Sequence, residues 1–219
     1  MQDQTQMAYR TDMSVELDRF VSDFATALTA ADAARPRATN ARSKVAFQPG
    51  IGPHSEAQTV KLVGDELEHR WPAIYGQRLA YGVAYPEAPR QKCDLCVGPA
   101  PEWEWAVEIK MLRILGDNGK ANDNILMHLL SPYPAHRSAL TDCEKLVASW
   151  LGHRKAILIY GYDADAWPLE PAIAAFEALA RARVPLSERL SADFRGLVHP
   201  VHSSGAVFAW ELQRARHDG

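Results

Sequence analysis

Apolar side chains recur along the chain at two different spacings, and these spacings separate predicted helices from predicted strands. In residues 12–31, leucine and phenylalanine recur every three or four positions and share one stripe of a helical surface. The same helical spacing occurs in four segments: residues 12–31, 54–71, 137–151 and 171–182. Pro72 ends the second of these helices, and Trp150 is predicted to lie in the core near the end of the third. The chain therefore contains several amphipathic helices.

Shorter segments bounded by turn residues are predicted to form strands: 78–85, 92–97, 103–112, 155–160, 194–199 and 206–212. The first three are joined by short turns that contain proline, which favours antiparallel neighbours. The segment 155–160 is an almost continuous apolar run, typical of a strand covered on both faces. Because a helix precedes it, a right-handed crossover would set this strand parallel to an earlier one. The predicted core order is α-β-β-β-α-β, an α/β fold with a mixed sheet flanked by helices.

The length and composition suit a single soluble domain with a terminal extension. The chain has 219 residues, of which 47% are hydrophobic and 23% are charged, and such a chain can bury a sizeable core. Residues 1–50 are predicted to be a helical extension and linker, and residues 51–219 the main domain. No apolar run is long enough to cross a bilayer, and the first residues lack the features of a secretory signal. We therefore expect a cytoplasmic protein with no membrane partner.

The net charge of −3 does not by itself indicate a nucleic-acid partner, although an enzyme needs only a local basic surface. Two basic clusters occur, at residues 35–44 and 181–195, and solvated surface is the favoured interpretation of each cluster alone.

The three cysteines, an odd number, argue against a disulfide framework. Cys93 and Cys96 form a CxxC pair that a zinc or redox protein would use. However, Cys143 is remote, and the pair lies in a strand-like segment. They are therefore predicted to be reduced core cysteines; bound zinc or a reactive thiol pair would favour the other interpretation.

Charged side chains interrupt two neighbouring predicted strands. Glu108 and Lys110 are two positions apart in one strand and project from the same face, because successive side chains of a strand point to opposite faces. Asp94 similarly lies among apolar residues of the preceding strand. Charges on buried strands are costly unless they are paired or bind a metal. The three residues therefore indicate either a chemical site or an ion pair, Asp94–Lys110 or Glu108–Lys110, on an exposed sheet face.

This combination of side chains suits phosphodiester hydrolysis. The carboxylates of Asp94 and Glu108 can bind Mg²⁺, which prefers oxygen ligands and keeps several waters, and the backbone carbonyl of Ile109 can supply a further oxygen. Such an ion polarises the phosphate and lowers the pKa of an attacking water. The ammonium of Lys110 can orient that water or stabilise charge on the phosphate.

The pattern resembles the PD-(D/E)XK nuclease superfamily, also called restriction endonuclease-like. Members have an acidic residue on one strand and then Glu or Asp, any residue, and Lys on the next strand, after a helix that often carries Glu. Three parts of this sequence match those positions: Glu56, Asp94 and Glu108-Ile109-Lys110. The resemblance covers residues 54–162, and the predicted order of elements matches the family's core. It departs at Cys93, where the motif's name has proline.

The resemblance implies a restriction endonuclease-like mixed sheet and assigns a role to each matching residue. Asp94 and Glu108 would bind the metal ion, Mg²⁺ with Mn²⁺ as a substitute, together with the Ile109 carbonyl. Lys110 would assist catalysis, and Glu56 would help to position metal or water. Two later glutamates of the same helix are rivals for that last role: Glu66 and Glu68.

The function that the resemblance implies is a metal-dependent endonuclease that hydrolyses DNA phosphodiester bonds. Restriction or defence is the favoured biology, with repair and mobile-element processing open. A homodimer would let two sites address two strands. Two alternatives stay open: a non-catalytic nucleic-acid-binding or regulatory protein of the same fold, and an RNA-cleaving effector that acts within a larger complex. RNA therefore stays open as a substrate beside DNA.

Other polar residues have weaker signals. The loop at residues 117–124 is open both to phosphate contact and to simple solvation. Four residues at or along the following helix are open to support roles: His136, Arg137, Ser138 and Lys145. His199 and His202 are predicted to be structural, because no third metal ligand lies near them in the sequence.

Overall fold

Helices cover both faces of one β-sheet in the computed structural model, which describes residues 14–40, 43–164 and 167–213. The described helices are α1 (Leu17–Ala33), α2 (Glu56–Arg70), α3 (Pro72–Tyr75), α4 (Met127–Leu130), α5 (Ala139–Ala148) and α6 (Glu170–Arg181), with a short 3₁₀ turn at Pro134–His136. None of the helices in this part of the chain is both long enough and apolar enough to cross a membrane. The predicted start of the first helix, Asp12, lies outside the described residues.

The sheet has six strands in the described residues: β1 (Leu79–Tyr85), β2 (Ala88–Val97), β3 (Trp105–Leu112), β4 (Arg154–Tyr162), β5 (Leu190–Arg195) and β6 (Ser204–Glu211). Their order across the sheet is β1-β2-β3-β4-β6-β5. Strands β3 and β4 are parallel and every other neighbouring pair is antiparallel. This confirms the predicted three-strand meander followed by a parallel strand, because α5 lies between β3 and β4 in the chain and carries the crossover.

The two faces of the sheet carry two separate apolar layers. Val107 and Ile109 of β3 pack in the layer that also contains the buried side chains of α1 and α2. Ala106 and Leu112 of the same strand pack in the layer that contains α5 and α6. Alternation along β3 therefore directs Glu108, and Lys110 with it, towards the α5 side of the sheet.

A capping box determines where α2 begins. The Ser55 hydroxyl accepts a hydrogen bond from the Gln58 backbone N–H at 3.4 Å, and the Gln58 side chain accepts one from the Ser55 N–H at 3.1 Å. Such a reciprocal pair satisfies two N–H groups that a helix start leaves without partners. Glu56 is consequently the first residue of the helix, where the positive end of the helix dipole lies close to its carboxylate.

Helix α1 packs on the same sheet face as α2. Its apolar stripe is buried as predicted, with Phe24 and Leu28 almost inaccessible to solvent. Near its end, the buried carboxylate of Asp32 accepts hydrogen bonds from the backbone N–H groups of Ile51 and Val198, at 2.8 and 2.6 Å. These contacts tie the linker to the main layer. The predicted division at residue 50 stays a prediction.

Two predictions of local structure are wrong. Trp150, predicted to be a core residue, is 71% exposed, because α5 ends at Ala148 and the chain leaves the helix at Ser149. The strand predicted at residues 194–199 lies at Leu190–Arg195 instead. Gly196 follows it with a φ of 73°, which ends the extended backbone.

Candidate active site

Strands β2 and β3 separate at the point where the acidic residues begin. The antiparallel register runs through Val97↔Trp105, Cys96↔Ala106 and Leu95↔Val107 and then stops. One further step of this register would set Asp94 opposite Glu108, on the same face of the sheet. Instead of a backbone partner, Ile109 has the Asp94 carboxylate, because its N–H donates to Asp94 Oδ2 at 2.8 Å. The side chain of Asp94 thus takes the place of a ladder hydrogen bond.

The carboxylate of Glu56 accepts a hydrogen bond from another backbone N–H group on the same edge of β3. The backbone N–H of Met111 donates to Glu56 Oε2 at 2.6 Å. Ile109 and Met111 are two residues apart, so their N–H groups point to the same side of the strand. Two carboxylates from different elements therefore cap the exposed edge of β3, where unpaired donors would otherwise be left.

Glu108 is 2% exposed, and its carboxyl has a raised pKa. Burial raises its pKa well above the usual range, and the nearby charges of Asp142 and Asp94 raise it further. The Asp94 carboxyl is therefore close enough to Glu108 to affect its pKa.

Charged side chains of alternating sign follow one another from Glu108 through Lys145 and Asp142 to Lys110. The ammonium of Lys145 lies 2.6 Å from Glu108 Oε1 and 2.8 Å from Asp142 Oδ1. The ammonium of Lys110 lies 2.6 Å from Asp142 Oδ2. The hydroxyl of Tyr85 also donates to Glu108 Oε1, at 2.5 Å. The arrangement fixes both ammonium groups against the buried acids.

The ion pairs outweigh burial in setting the protonation of both lysines. Burial of Lys110 lowers its pKa, but the charges of Asp142, Glu56 and Asp94 together hold that pKa above its ordinary value. Burial likewise lowers the pKa of Lys145, and Glu108 and Asp142 raise it by more. Both ammonium groups are therefore charged at neutral pH.

The four residues predicted from the sequence line one open cavity of about 580 Å³. Its wall includes six acidic and basic side chains of this group: Glu56, Asp94, Glu108, Lys110, Asp142 and Lys145. The carbonyl of Ile109 lies 3.5 Å from the Lys110 ammonium. Burial raises the pKa of Glu56 to about 7; Lys110 opposes that shift and Asp94 adds to it.

The donor set fits a divalent cation held partly by water. No group of three or more His, Cys, Asp or Glu side chains within the described ranges is arranged to hold a metal ion. Asp94 and Glu108 together with the Ile109 carbonyl make a smaller, all-oxygen set. Mg²⁺ commonly uses one or two carboxylates and keeps several waters. A cation would also relieve the repulsion by which Asp94 helps to raise the pKa of the buried Glu108 carboxyl.

The alternative of an ion pair on an exposed sheet face is wrong. Lys110 pairs with Asp142, a residue of α5, rather than with Asp94 or Glu108. Helix α5 also covers this face, so that Glu108 is buried.

Of the three glutamates considered on α2, Glu56 lines the cavity. Glu66 forms an ion pair with Arg70 at 3.1 Å on the exposed side of the helix. Glu68 accepts a weak hydrogen bond from the Gln77 N–H at 3.3 Å, also on the surface.

Asp142 and Tyr85 were not identified from the sequence as members of this group. Asp142 did carry a signal: it lies on the stripe of α5 that holds Cys143 and Leu146, and a carboxylate on an apolar stripe requires a partner. Tyr85, at the end of β1, carried no comparable signal, because a tyrosine there is ordinary in a half-buried strand.

The cysteines are buried next to this charged group without lining its cavity, and the histidine pair lies apart from it. Cys93 and Cys96 are free, buried thiols, and Cys93 Sγ donates to the Val107 carbonyl at 3.4 Å. His199 and His202 are buried with stacked rings 4.8 Å apart, and His202 Nε2 lies 3.1 Å from Asp117. Neither histidine lines the cavity at Glu108.

Comparison with protein-family models, with curated proteins and with solved structures finds no match to this chain.

Proposed function

We propose that this chain is a metal-dependent nuclease of the PD-(D/E)XK type, with a restriction endonuclease-like fold, that hydrolyses phosphodiester bonds in DNA. The observation that carries the proposal is the meeting of Asp94 and Glu108 where β2 and β3 separate, with Lys110 on the same face and in the same cavity. A binding protein does not need the part-buried carboxyl of Asp94 beside the buried carboxyl of Glu108. A hydrolase that holds a cation does.

Asp94, Glu108 and the Ile109 carbonyl would hold Mg²⁺, or Mn²⁺ in its place, and the bound ion would polarise a phosphate oxygen and lower the pKa of a water. Lys110 stabilises the negative charge that develops on the phosphate, since its ammonium is charged and already held in the cavity. Asp142 orients that ammonium. Water attacks phosphorus, one ester P–O bond breaks, and a phosphate monoester and an alcohol are formed.

Glu56 has the properties of a proton acceptor for that water. Burial brings its pKa to about 7, so that it exchanges a proton near neutral pH. The Met111 N–H donates to Glu56 Oε2, and this hydrogen bond keeps the carboxylate at the edge of β3 and inside the cavity. The attacking water therefore loses its proton to Glu56 in this proposal.

The test is cleavage of covalently closed circular duplex DNA, circular single-stranded DNA and RNA with Mg²⁺, Mn²⁺ or EDTA. Circular substrates report endonuclease activity without a contribution from ends. The wild-type protein should cleave DNA only with a divalent cation, and Lys110→Ala should cleave at least about 100-fold more slowly. Lys61→Ala is the matched control, because Lys61 lies on the exposed face of α2 and pairs with Asp65.

Each other outcome contradicts the proposal in a defined way. Equal cleavage by the wild type and Lys110→Ala would indicate a contaminating nuclease. Nucleic-acid binding without cleavage under every metal condition would favour a non-catalytic protein of the same fold. Cleavage of RNA but not DNA would favour the effector alternative. Homodimer formation and a role in defence stay predictions.

A further inference from the structure

Three exposed apolar side chains lie in a segment that borders the cavity between β3 and α5. The large apolar residues that are exposed in the described part of the chain are Val45, Leu126, Met127, Tyr133, Trp150, Trp167 and Leu179. Three of them fall within residues 125–137, the segment that also contributes Ile125, His128, His136 and Arg137 to the cavity wall. Single exposed apolar residues are ordinary, but a cluster beside a cavity indicates a binding surface.

Tyr133 lies beside this wall and contacts one of the residues that line it. Its side chain is among those most open to solvent, at 65% exposure. Its ring meets the His136 ring edge-on, with centroids 5.7 Å apart, and His136 lines the cavity. The buried hydroxyl of Ser131 bonds to His136 Nδ1 at 2.6 Å and accepts a hydrogen bond from the Tyr133 N–H at 3.3 Å. One aromatic face is thus held open beside the site.

Basic side chains continue from this aromatic pair. A second cavity of about 840 Å³ shares Lys92 and Arg137 with the first and adds Arg90. All three side chains are exposed. No acidic residue in the described part of the chain pairs with any of them, whereas Arg181, Arg183 and Arg189 of the later basic cluster are all in ion pairs. Cations without partners along a groove are what a phosphate backbone requires.

We propose that this surface binds single-stranded nucleic acid and leads it into the cavity, with one base stacked on Tyr133 and backbone phosphates against Arg137, Lys92 and Arg90. The inference rests on the proposed function, since it names the substrate of that site. An unpaired strand exposes the faces of its bases, and aromatic side chains bind them without regard to sequence. A duplex covers those faces, so Tyr133 would have no stacking partner except at an end.

The test is fluorescence anisotropy in EDTA, so that binding is measured without cleavage. The probes are labelled oligothymidine, labelled oligouridine and a blunt DNA duplex of the same length. The variants are Tyr133→Ala, Tyr133→Phe and Arg137→Ala. Two exposed residues away from the groove provide matched controls, Trp150→Ala for the aromatic ring and Arg195→Ala for the cation.

We expect the protein to bind the single strand at least about 10-fold more tightly than the duplex. Tyr133→Ala should bind the single strand about 10-fold more weakly than the wild type does. Tyr133→Phe should bind as the wild type does, because it keeps the ring. Arg137→Ala should reduce the salt dependence of binding by about one phosphate contact. The stronger of the oligothymidine and oligouridine arms shows whether the groove favours the DNA strand or the RNA strand.

Duplex binding equal to or tighter than single-strand binding would overturn the inference, and so would an unchanged affinity in Tyr133→Ala. These results are separable from the proposed function. If the protein cleaves duplex DNA and Tyr133→Ala cleaves it equally well, the proposed single-strand surface is contradicted and the proposed nuclease activity stands. If single-strand binding depends on Tyr133 but no cleavage occurs under any metal condition, the proposed nuclease activity is contradicted and the proposed binding surface stands.

Discussion

The ammonium of Lys145 lies 2.6 Å from a carboxylate oxygen of Glu108, inside the interface between α5 and the sheet. Glu108 is buried, and Asp94 and Asp142 are both close enough to raise its pKa. Lys145 therefore supplies the positive charge that keeps this acidic group stable in the metal-free protein. In the proposed enzyme it competes with the cation for Glu108.

Replacing Lys145 by methionine should destabilise the metal-free protein by about 1–3 kcal/mol, because it leaves the buried Glu108 carboxyl without its charged partner. In a Glu108→Gln background the same replacement should cost much less. Urea unfolding in EDTA of the four proteins of this double-mutant cycle gives the coupling. Arg183→Met is the control: its ion pair with Glu144 is on the surface, and its loss should cost less than about 1 kcal/mol. Equal costs in the two Glu108 backgrounds would contradict the ion pair.

Asp94→Asn should lose metal binding and keep the fold. The asparagine carbonyl can still accept the hydrogen bond from the Ile109 N–H, but a neutral amide is a poor substitute for a carboxylate at a cation site. Asp94→Ala should lose metal binding as well, and also about 1–2 kcal/mol of stability, because the Ile109 N–H is left without a partner. Calorimetric titration with Mn²⁺ and urea unfolding separate the two effects. Wild-type Mn²⁺ affinity in Asp94→Asn would reassign this residue to a structural role.

Asp142→Asn tests whether Asp142 acts through Lys110. The amide cannot form the ion pair of 2.6 Å, and the largest charge that raises the pKa of Lys110 is removed. Cleavage should fall by about 10- to 100-fold, and the alkaline limb of the pH–rate profile should move to lower pH. Asp142→Glu, which keeps the charge, should recover part of the rate. A purely structural role would lower the amount of folded protein and leave the pH profile unmoved.

The raised pKa of Glu56 predicts that the stability of the folded protein depends on pH. Its pKa is 4.5 in an unperturbed chain and about 7 in the folded protein, chiefly because it is buried. The folded state holds the proton more tightly, so this contribution to stability is fully present below pH 4.5 and is lost as pH rises through 7. Urea midpoints between pH 4.5 and 8 in EDTA should therefore decline less in Glu56→Gln than in the wild type. Glu66→Gln, on the exposed side of α2, provides the control. Parallel curves for the wild type and Glu56→Gln would show that Glu56 does not titrate in this range.

The local geometry of the site was predictable from the sequence because it depends on the period of a single strand. Glu108 and Lys110 are two residues apart, and a β-strand directs such side chains to the same face whatever surrounds it. The short turns between β1, β2 and β3 likewise predict antiparallel neighbours, so Asp94 could be expected on the adjacent strand.

The choice of Glu56 among the glutamates of α2 rests on the resemblance, supported by the position of Glu56 at the helix start near the positive end of the dipole. Only the docking of α2 against the edge of β3 brings its first residue to the Met111 N–H, while Glu66 and Glu68 remain on the surface. The restriction endonuclease-like assignment itself stays a prediction.

The sequence by itself determined the type and order of the elements and the face on which Glu108 and Lys110 lie, because these follow from the backbone periods of helix and strand. Only the tertiary structure decided which charged and polar groups contact Glu108 and Lys110. Asp142 and Lys145 reach the site only because α5 crosses that face of the sheet, and Tyr85 reaches it only because β1 and β2 pair in one register. Such contacts depend on the packing of elements far apart in the chain, for which spacing along the sequence has no rule.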